Sequence, residues 1–203
     1  MVKKNIAYTK ARKKEGFYKE ARKINVRARS YFKLKQLDAK FSLIHNNMTI
    51  IDLGAAPGGW LEYIDQTIKK GRVIGIDLLE IKKPKEFSKN IELIQGDFTN
   101  LAEVDEFEED IEFDLVLSDM APEFSGNSQV DRGRTHKLNI ITLDFCKKHL
   151  KKGKNCAFKS FEGEDLGYVI KKAKEVFNFV KEYKPQSSQK KSAEMFVMCF
   201  RKR

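Results

Sequence analysis

The chain has 203 residues, of which 41% are hydrophobic, and this suits a single globular domain with a substantial core. No apolar run approaches the roughly 20 residues that cross a bilayer, and the basic N-terminus lacks the apolar stretch of a secretory signal. The three cysteines form no Cys-x-x-Cys pair and the three histidines are scattered. We therefore expect reduced thiols, no metal site, no membrane partner and a cytoplasmic location, with a mitochondrial location as the alternative.

The net charge of +11 lies entirely in the first 35 residues, which carry 13 Lys and Arg against two Glu, whereas residues 36–203 carry 27 of each sign. A basic segment on a neutral globule favours binding to a polyanion through phosphate contacts and counterion release. Aromatic side chains that can stack on bases interleave with it, namely Tyr8, Phe17, Tyr18, Tyr31 and Phe32. We interpret residues 1–29 as a basic RNA-binding extension of one domain spanning residues 1–203; the alternative is an arm that only aids solubility.

The first predicted helix covers about residues 31–45, with Ser30 as its N-cap. Its apolar stripe consists of Leu34, Leu37, Phe41 and Ile44, and Lys33 lies beside that stripe.

A strand, a tight loop and a helix are predicted over about residues 48–69, around Ile-Asp-Leu-Gly-Ala-Ala-Pro-Gly-Gly-Trp at residues 51–60. The glycines permit close backbone approach to a ligand, and a helix N-terminus follows at the carboxyl end of a strand. The spacing matches neither Gly-x-Gly-x-x-Gly nor a phosphate-binding loop ending in Gly-Lys-Ser/Thr. It predicts a small-molecule site that is neither a dinucleotide nor an ATP site.

Three further predicted strands lead into acids. Asp77 ends the second strand about 20 residues beyond the glycine loop, where an acid commonly accepts hydrogen bonds from a ribose. Asp97 follows the strand at residues 91–94, and Asp119 follows the strand at residues 113–118. A nucleoside cofactor is the leading interpretation. The acidic run from Glu103 to Glu112 predicts an exposed helix face.

The second half of the chain predicts a loop over residues 123–133 that could cover the site, a helix over 134–150, a strand over 154–161, a helix over 165–177 and strands over 179–183 and 194–200. Lys159 interrupts an apolar run in the fifth strand, where a lysine needs a partner. Glu194 begins the last strand, which would pair antiparallel. We group Lys33, Asp119, Lys159 and Glu194 at one sheet edge, as an acid–base site requires.

Six blocks in this order resemble the FtsJ/RrmJ family of S-adenosylmethionine-dependent RNA 2′-O-methyltransferases, from about Arg27 to the C-terminus. The blocks are residues 29–34, 52–60, 95–98, 118–122, 158–163, and 184–188 with Glu194. The resemblance implies an α/β, Rossmann-like methyltransferase fold: a mostly parallel seven-stranded sheet with helices on both faces and one antiparallel strand. It also implies a catalytic tetrad of Lys33, Asp119, Lys159 and Glu194. The implied contacts with S-adenosyl-L-methionine are Gly58, Trp60, Asp77 (ribose), Asp97 (adenine) and Asp119, with the glycine loop at the methionine moiety.

The implied activity is methyl transfer to a ribose 2′-hydroxyl of RNA. Gly54 and Gly59 favour the branch that modifies a uridine of large-subunit rRNA over the tRNA branch, which resembles Cys-Ala-Ala-Pro-Gly-Ser-Trp. We expect a monomer with RNA as its partner. Lys159 either removes the hydroxyl proton as a base or stays cationic and orients the hydroxyl. Glu123, Gln189 and Phe196 depart from the family pattern and are expected to flank the RNA side.

Other classes fit less well. A nicotinamide oxidoreductase has a different glycine spacing, and cytosine C5 methylation needs a reactive cysteine at the site, whereas all three cysteines lie among apolar residues. A non-catalytic RNA-binding or ribosome-assembly protein would explain the basic extension but not the acids and lysine at the sheet edge.

Overall fold

The structure, a computed structural model, describes residues 26–82, 87–104, 107–108, 110–122, 128–163, 165–188 and 192–203. Most of the basic extension and two of the expected RNA-flanking positions, Glu123 and Gln189, lie outside these residues. The described elements are α1 (Ser30–Phe41), β1 (Met48–Leu53), α2 (Gly59–Thr67), β2 (Gly71–Asp77), β3 (Ile91–Gln95), a 3₁₀ segment (Phe98–Glu103), β4 (Phe113–Ser118), α3 (Ser128–His149), β5 (Leu150–Phe161), α4 (Leu166–Val176), β6 (Phe177–Tyr183) and β7 (Glu194–Lys202).

One seven-stranded sheet organises the described chain, in the order β3-β2-β1-β4-β5-β7-β6. The pairs among β3, β2, β1, β4 and β5 are parallel, and β7 runs antiparallel to both β5 and β6. The sequence-based prediction of a mostly parallel sheet with one antiparallel strand is confirmed. The carboxyl ends of the parallel strands and the start of β7 therefore share one edge, where ligands of such sheets bind.

The sheet has a hydrophobic cluster on each face. One joins Leu34 and Leu37 of α1 with Leu61 and Ile64 of α2, and the other joins side chains of α3 and α4, including Phe145. All six residues of β4 are buried, as expected for a central strand covered on both faces. Helices lie on both faces, as predicted.

The first helix ends four residues before the predicted boundary. Ser42 adopts a left-handed φ of 50°, and the Asp38 carboxylate accepts hydrogen bonds from the Leu43 and Ile44 amides at 2.8 and 2.9 Å. The predicted N-cap was also wrong, because Arg29 holds the N-cap position and Ser30 is the first helical residue. The spacing of apolar residues continues to Ile44, so it does not show that the helix ends at Phe41 and is followed by a capped turn.

Two other boundaries differ from the sequence-based prediction. The described part of the acidic run after Glu103 is not helical, and Glu108 accepts hydrogen bonds from Arg72 of β2 at 2.7 and 3.0 Å instead. Helix α3 begins at Ser128, so residues 128–133 are not the loop that was predicted over the site.

The three cysteines are buried, with Cys156 of β5 opposite Cys199 of β7. Burial raises the pKa of the Cys156 and Cys199 thiols well above the ordinary value, and the neighbouring Cys146 adds to both shifts. No helix of the described chain is long and apolar enough to cross a membrane. Within the same residues, no group of His, Cys, Asp and Glu is arranged to hold a metal ion.

Candidate active site

The glycine loop connects β1 to α2 at the shared sheet edge. The amides of Gly54 and Ala55 both donate to the Ile76 carbonyl of β2, at 2.9 and 3.1 Å, which fixes the loop over the end of the neighbouring strand. Gly54 has φ +75°, and a Cβ at that position would overlap Met120. Gly58 has φ +101° and is the N-cap of α2. Both positions thus need the conformations that glycine adopts without strain.

Asp77 is the last residue of β2, and Asp97 and Asp119 follow the ends of β3 and β4, around the glycine loop at the end of β1. Asp77 Oδ2 accepts a hydrogen bond from the Ala56 amide at 2.9 Å, and its Oδ1 accepts one from the Leu79 amide at 2.8 Å. Asp97 is exposed and caps the 3₁₀ segment through the Thr99 amide at 2.9 Å. Each carboxylate oxygen has a second lone pair, so both acids can still accept hydrogen bonds from a ligand.

Asp52, which the sequence analysis did not select, is the most unusual acid at this edge. It lies in β1 directly before the glycine loop with 1% of its surface exposed, and neither carboxylate oxygen has a hydrogen-bond partner within the described part of the chain. Burial raises its pKa well above the ordinary value, and the charges of Asp119 and Asp77 raise it further. A buried carboxylate without a partner is suited to a cationic group of a ligand. Its place in an apolar strand made it resemble core sequence.

The Trp60 side chain is buried in the protein and is not exposed toward a ligand. Its indole is buried, packs 5.8 Å from the Phe196 ring and donates a hydrogen bond to the Ser30 carbonyl at 2.9 Å. The side chain thus connects α2 to the start of α1. Any contact that Trp60 makes with a cofactor would come from its backbone at the first turn of α2.

The four predicted acid–base residues lie together in one ion-pair chain. Lys33 Nζ is 2.7 Å from Glu194 Oε2 and 3.6 Å from Asp119 Oδ1. Lys159 Nζ is 3.1 Å from Asp119 Oδ1 and donates a hydrogen bond to the Asp119 main-chain oxygen. Asp119 Oδ1 itself is buried and has no aligned hydrogen-bond partner among the residues that the structure describes.

The sheet register explains how distant positions converge. Ser118 at the end of β4 pairs with Phe158 of β5, so Asp119 and Lys159 come next to each other. Phe161 of β5 pairs with Glu194, and the antiparallel direction of β7 places its first residue at the edge where the parallel strands end. Lys33 reaches the same place from α1.

The electrostatics keep Glu194 ionised. Burial alone would raise its pKa, but Lys33 nearby, a hydrogen bond from Ser188 Oγ to Oε1 at 2.8 Å and the charge of Lys159 together hold the pKa below its ordinary value. One oxygen of the Glu194 carboxylate therefore accepts a hydrogen bond from Lys33, and the other accepts one from Ser188. That arrangement fixes the Glu194 rotamer and, through it, the position of the Lys33 ammonium.

Phe196 forms the apolar floor under this chain of charges. The ring is fully buried, pairs in register with Lys159, and lies 5.9 Å below the Lys33 ammonium. The expectation that this position flanks the RNA side is wrong, because the last strand turns it into the core. The ring lowers the local dielectric constant, which strengthens the ion pairs above it.

The chain is similar over its length to methyltransferases. A family model described as FtsJ-like methyltransferase matches residues 26–202. The chain belongs to the FtsJ-like methyltransferase family. A protein of Methanosphaera stadtmanae named ribosomal RNA large subunit methyltransferase E is 41% identical over 191 residues, which cover 92% of each chain. A protein of the same name from Legionella pneumophila (strain Corby) is 38% identical over 187 residues, 90% of this chain and 89% of that protein.

A solved structure supports the same assignment. The crystal structure of a ribosomal RNA methyltransferase, described as putative, from Plasmodium falciparum superposes with a TM-score of 0.76 at 26% identity, and covers 87% of this chain and 98% of that one. This FtsJ-like protein is therefore a methyltransferase with the Rossmann-like sheet that the sequence predicted. Ligands of such sheets bind at the carboxyl edge of the parallel strands, which is where this fold places the glycine loop and the acids.

Proposed function

We propose that this FtsJ-like protein transfers a methyl group from S-adenosyl-L-methionine to the 2′-hydroxyl of a ribose in RNA, at a uridine of large-subunit rRNA. The observation that carries the proposal is the continuous chain Glu194–Lys33–Asp119–Lys159, with contacts of 2.7, 3.6 and 3.1 Å, at the sheet edge that also holds the glycine loop. Such a chain can position a neutral hydroxyl and accept its proton, and this reaction requires both.

The residues at the loop fit S-adenosyl-L-methionine. Asp52 supplies a buried carboxylate without a partner for the positively charged part of the cofactor, and Gly54 and Gly58 leave no side chain over the loop. Asp77 and Asp97, on adjacent strand ends, would hold the ribose and the adenine. The cofactor supplies an activated methyl group on a sulfonium, so the protein needs no metal for this chemistry.

The four residues of the ion-pair chain have different proposed roles toward the acceptor hydroxyl. We propose that Lys159, whose Nζ contacts two oxygens of Asp119, orients the hydroxyl oxygen and stabilises developing negative charge. Asp119 Oδ1, which has no aligned hydrogen bond from the described residues, would accept the hydroxyl proton as the bond from the hydroxyl oxygen to the methyl carbon forms and the bond from that carbon to sulfur breaks. Lys33 and Glu194 keep Asp119 in place. The Lys159→Met variant described in the Discussion tests whether Lys159 is needed for the reaction in either role, as an orienting cation or as the group that takes the proton.

Two observations support rRNA as the acceptor. The relatives that match most of the chain are named as ribosomal RNA methyltransferases, and the net charge of +11 lies within residues 1–35. We propose that the basic extension of residues 1–29 binds phosphates of the substrate. All four groups of the site come from one chain, which is consistent with a monomer. Buried, unpaired cysteines fit a reducing compartment, the cytoplasm.

The test is methylation of purified RNA by the full-length protein with radiolabelled S-adenosyl-L-methionine. Unmodified large ribosomal subunits, the rRNA extracted from them, and total tRNA are offered separately, and labelled positions are mapped as linkages resistant to alkaline hydrolysis. Alkali-resistant label at a uridine of large-subunit rRNA supports the proposal. Label only in tRNA would place the protein in the tRNA branch.

Two controls make a negative result informative. Asp119→Ala, which removes the central carboxylate of the ion-pair chain, should eliminate the label. RNA binding by the wild-type protein with no methyl incorporation into any RNA would instead support a non-catalytic ribosome-assembly role and overturn the proposal.

A further inference from the structure

The segment just before α1 lies across the glycine loop. A Cβ at Gly59 would come within 2.6 Å of Ser30 Oγ and 2.8 Å of the Ala28 Cβ, so these two side chains pack closely against the Gly59 backbone. Trp60 donates to the Ser30 carbonyl at 2.9 Å, and the Arg27 amide donates to Glu62 Oε2 at 2.8 Å. The end of the basic extension is therefore attached to the first turn of α2 by both its backbone and its side chains.

Arg27 joins this loop to the connection that follows β2. Its Nη1 donates to the Pro57 carbonyl at 3.2 Å, and its Nη2 donates to the Lys82 carbonyl at 2.5 Å. The guanidinium also lies 5.5 Å above the Phe87 ring. Pro57 belongs to the glycine loop, and Lys82 lies shortly after Asp77. One planar group thus connects the glycine loop to the segment that follows Asp77, and both segments lie beside the proposed cofactor site.

The contacts of Arg27 differ from those expected of an arginine whose guanidinium is free to bind phosphate. Two donors of Arg27 are already directed at main-chain carbonyls, and a Cβ at Gly58 would lie 2.9 Å from Nη1, so the guanidinium sits against the loop. A guanidinium can bond two carbonyls at once because its donors form a rigid fork, which a lysine ammonium does not offer. Arg27 belongs to the basic extension that was predicted to bind RNA, and its charge alone does not reveal this geometry.

We propose that Arg27 is a positioning residue for the cofactor pocket: it sets the spacing between the glycine loop and the segment after Asp77, and thereby the affinity for S-adenosyl-L-methionine. This inference rests on the proposed cofactor. It also links the basic extension to the cofactor loop, because the residues that precede Arg27 in the chain carry most of the excess charge.

Arg29 provides a matched control two residues along. Its Nη2 donates to the Ser187 carbonyl at 2.6 Å, on the turn whose Ser188 holds Glu194, rather than to a carbonyl of the glycine loop. The two arginines therefore have the same charge and neighbouring positions but support different parts of the site. Arg29→Ala should alter turnover through Glu194 while leaving cofactor affinity unchanged.

The experiment measures the dissociation constant for S-adenosyl-L-methionine by isothermal titration, in the absence of RNA, for full-length wild-type, Arg27→Ala, Arg27→Lys and Arg29→Ala proteins. Loss of two hydrogen bonds from a charged group predicts at least about a tenfold weaker affinity for Arg27→Ala. Arg27→Lys keeps the charge but not the fork, so it should recover only part of that affinity. RNA affinity and its salt dependence are measured in parallel, and thermal unfolding verifies that each variant is folded.

The outcomes separate this inference from the proposed function. If the wild-type protein does not bind S-adenosyl-L-methionine, the proposed cofactor fails. If the wild-type protein binds it and Arg27→Ala binds it equally well, the positioning role is overturned while the proposed function stands. Weaker RNA binding by Arg27→Ala, rescued by Arg27→Lys, with unchanged cofactor affinity would show instead that Arg27 is a phosphate contact.

Discussion

Replacing Lys159 with methionine tests the centre of the proposed site. The substitution keeps an unbranched side chain of similar length over Phe196 but removes the charge 3.1 Å from Asp119 Oδ1. Lys159 is 8% exposed and Asp119 is 15% exposed at their side chains, so the lost pair is poorly screened by solvent. Removing one partner of a buried pair costs about 3–5 kcal/mol of stability, and we expect the lower end because Lys33 remains 3.6 Å from Asp119.

The catalytic effect should exceed the effect on binding. Loss of a preorganised donor at a developing negative charge lowers kcat by about 10²–10³. The affinity for S-adenosyl-L-methionine should stay within about threefold, since Asp52, Asp77 and the glycine loop are unchanged. Single-turnover methylation under saturating RNA measures the first quantity, and isothermal titration measures the second.

The matched control is Lys154→Met on the same strand. Lys154 pairs with Asp114 at 3.0 Å but lies at the opposite end of β5, with 41% of its side chain exposed, so activity should equal that of the wild type. Single-turnover rates for Lys159→Met within tenfold of wild type would refute the role of Lys159. Loss of cofactor binding in a folded Lys159→Met protein would show that the residue supports the cofactor site rather than the transfer step.

Further predictions concern the residues around this centre. Glu194 has a lowered pKa, so its contribution to stability is complete above the ordinary value of 4.5 and is lost as pH falls through the lowered value; the difference in unfolding free energy between wild type and Glu194→Gln should shrink over that range. Asp52→Asn should stabilise the ligand-free protein at neutral pH by about 1–3 kcal/mol in denaturant melts, yet weaken cofactor binding in titrations. Gly54→Ala should lower stability by about 1–3 kcal/mol because of its φ, whereas Gly133→Ala, with open space around it in α3, should be neutral or stabilising. Removing residues 1–25 should flatten the salt dependence of RNA binding; an unchanged slope would exclude these residues from the interface.

The sheet and its functional edge were predictable because parallel strands place their carboxyl ends together. Asp77, Asp97 and Asp119 each follow an apolar run, and such runs mark central strands without knowledge of tertiary contacts. Lys159 was recognisable because a charge within an apolar strand needs a partner, and the antiparallel β7 brings Glu194 to the same edge.

The details that were missed depend on contacts between distant segments. Asp52 looks like one polar residue in a core strand, and only its lack of a hydrogen-bond partner in three dimensions distinguishes it. The role of Arg27 depends on carbonyls 30 and 55 residues away, whose orientation no local pattern encodes. The register between β5 and β7 determines that Phe196 faces the core. The alternation of side chains along a strand does not fix this register, and a shift of one residue would turn Phe196 to the other face of the sheet.

The burial of all three cysteines provides a direct probe of the opening of the fold. Cys156 and Cys199 occupy facing central positions of β5 and β7, Cys146 packs beside them from α3, and the chain has no other cysteine. A thiol reagent can therefore reach sulfur only after the sheet separates from its helices, and the labelling rate in native buffer measures that event. Repeating the measurement with S-adenosyl-L-methionine would reveal whether the ligand stabilises the whole sheet or only its binding edge, with no engineered label in the protein.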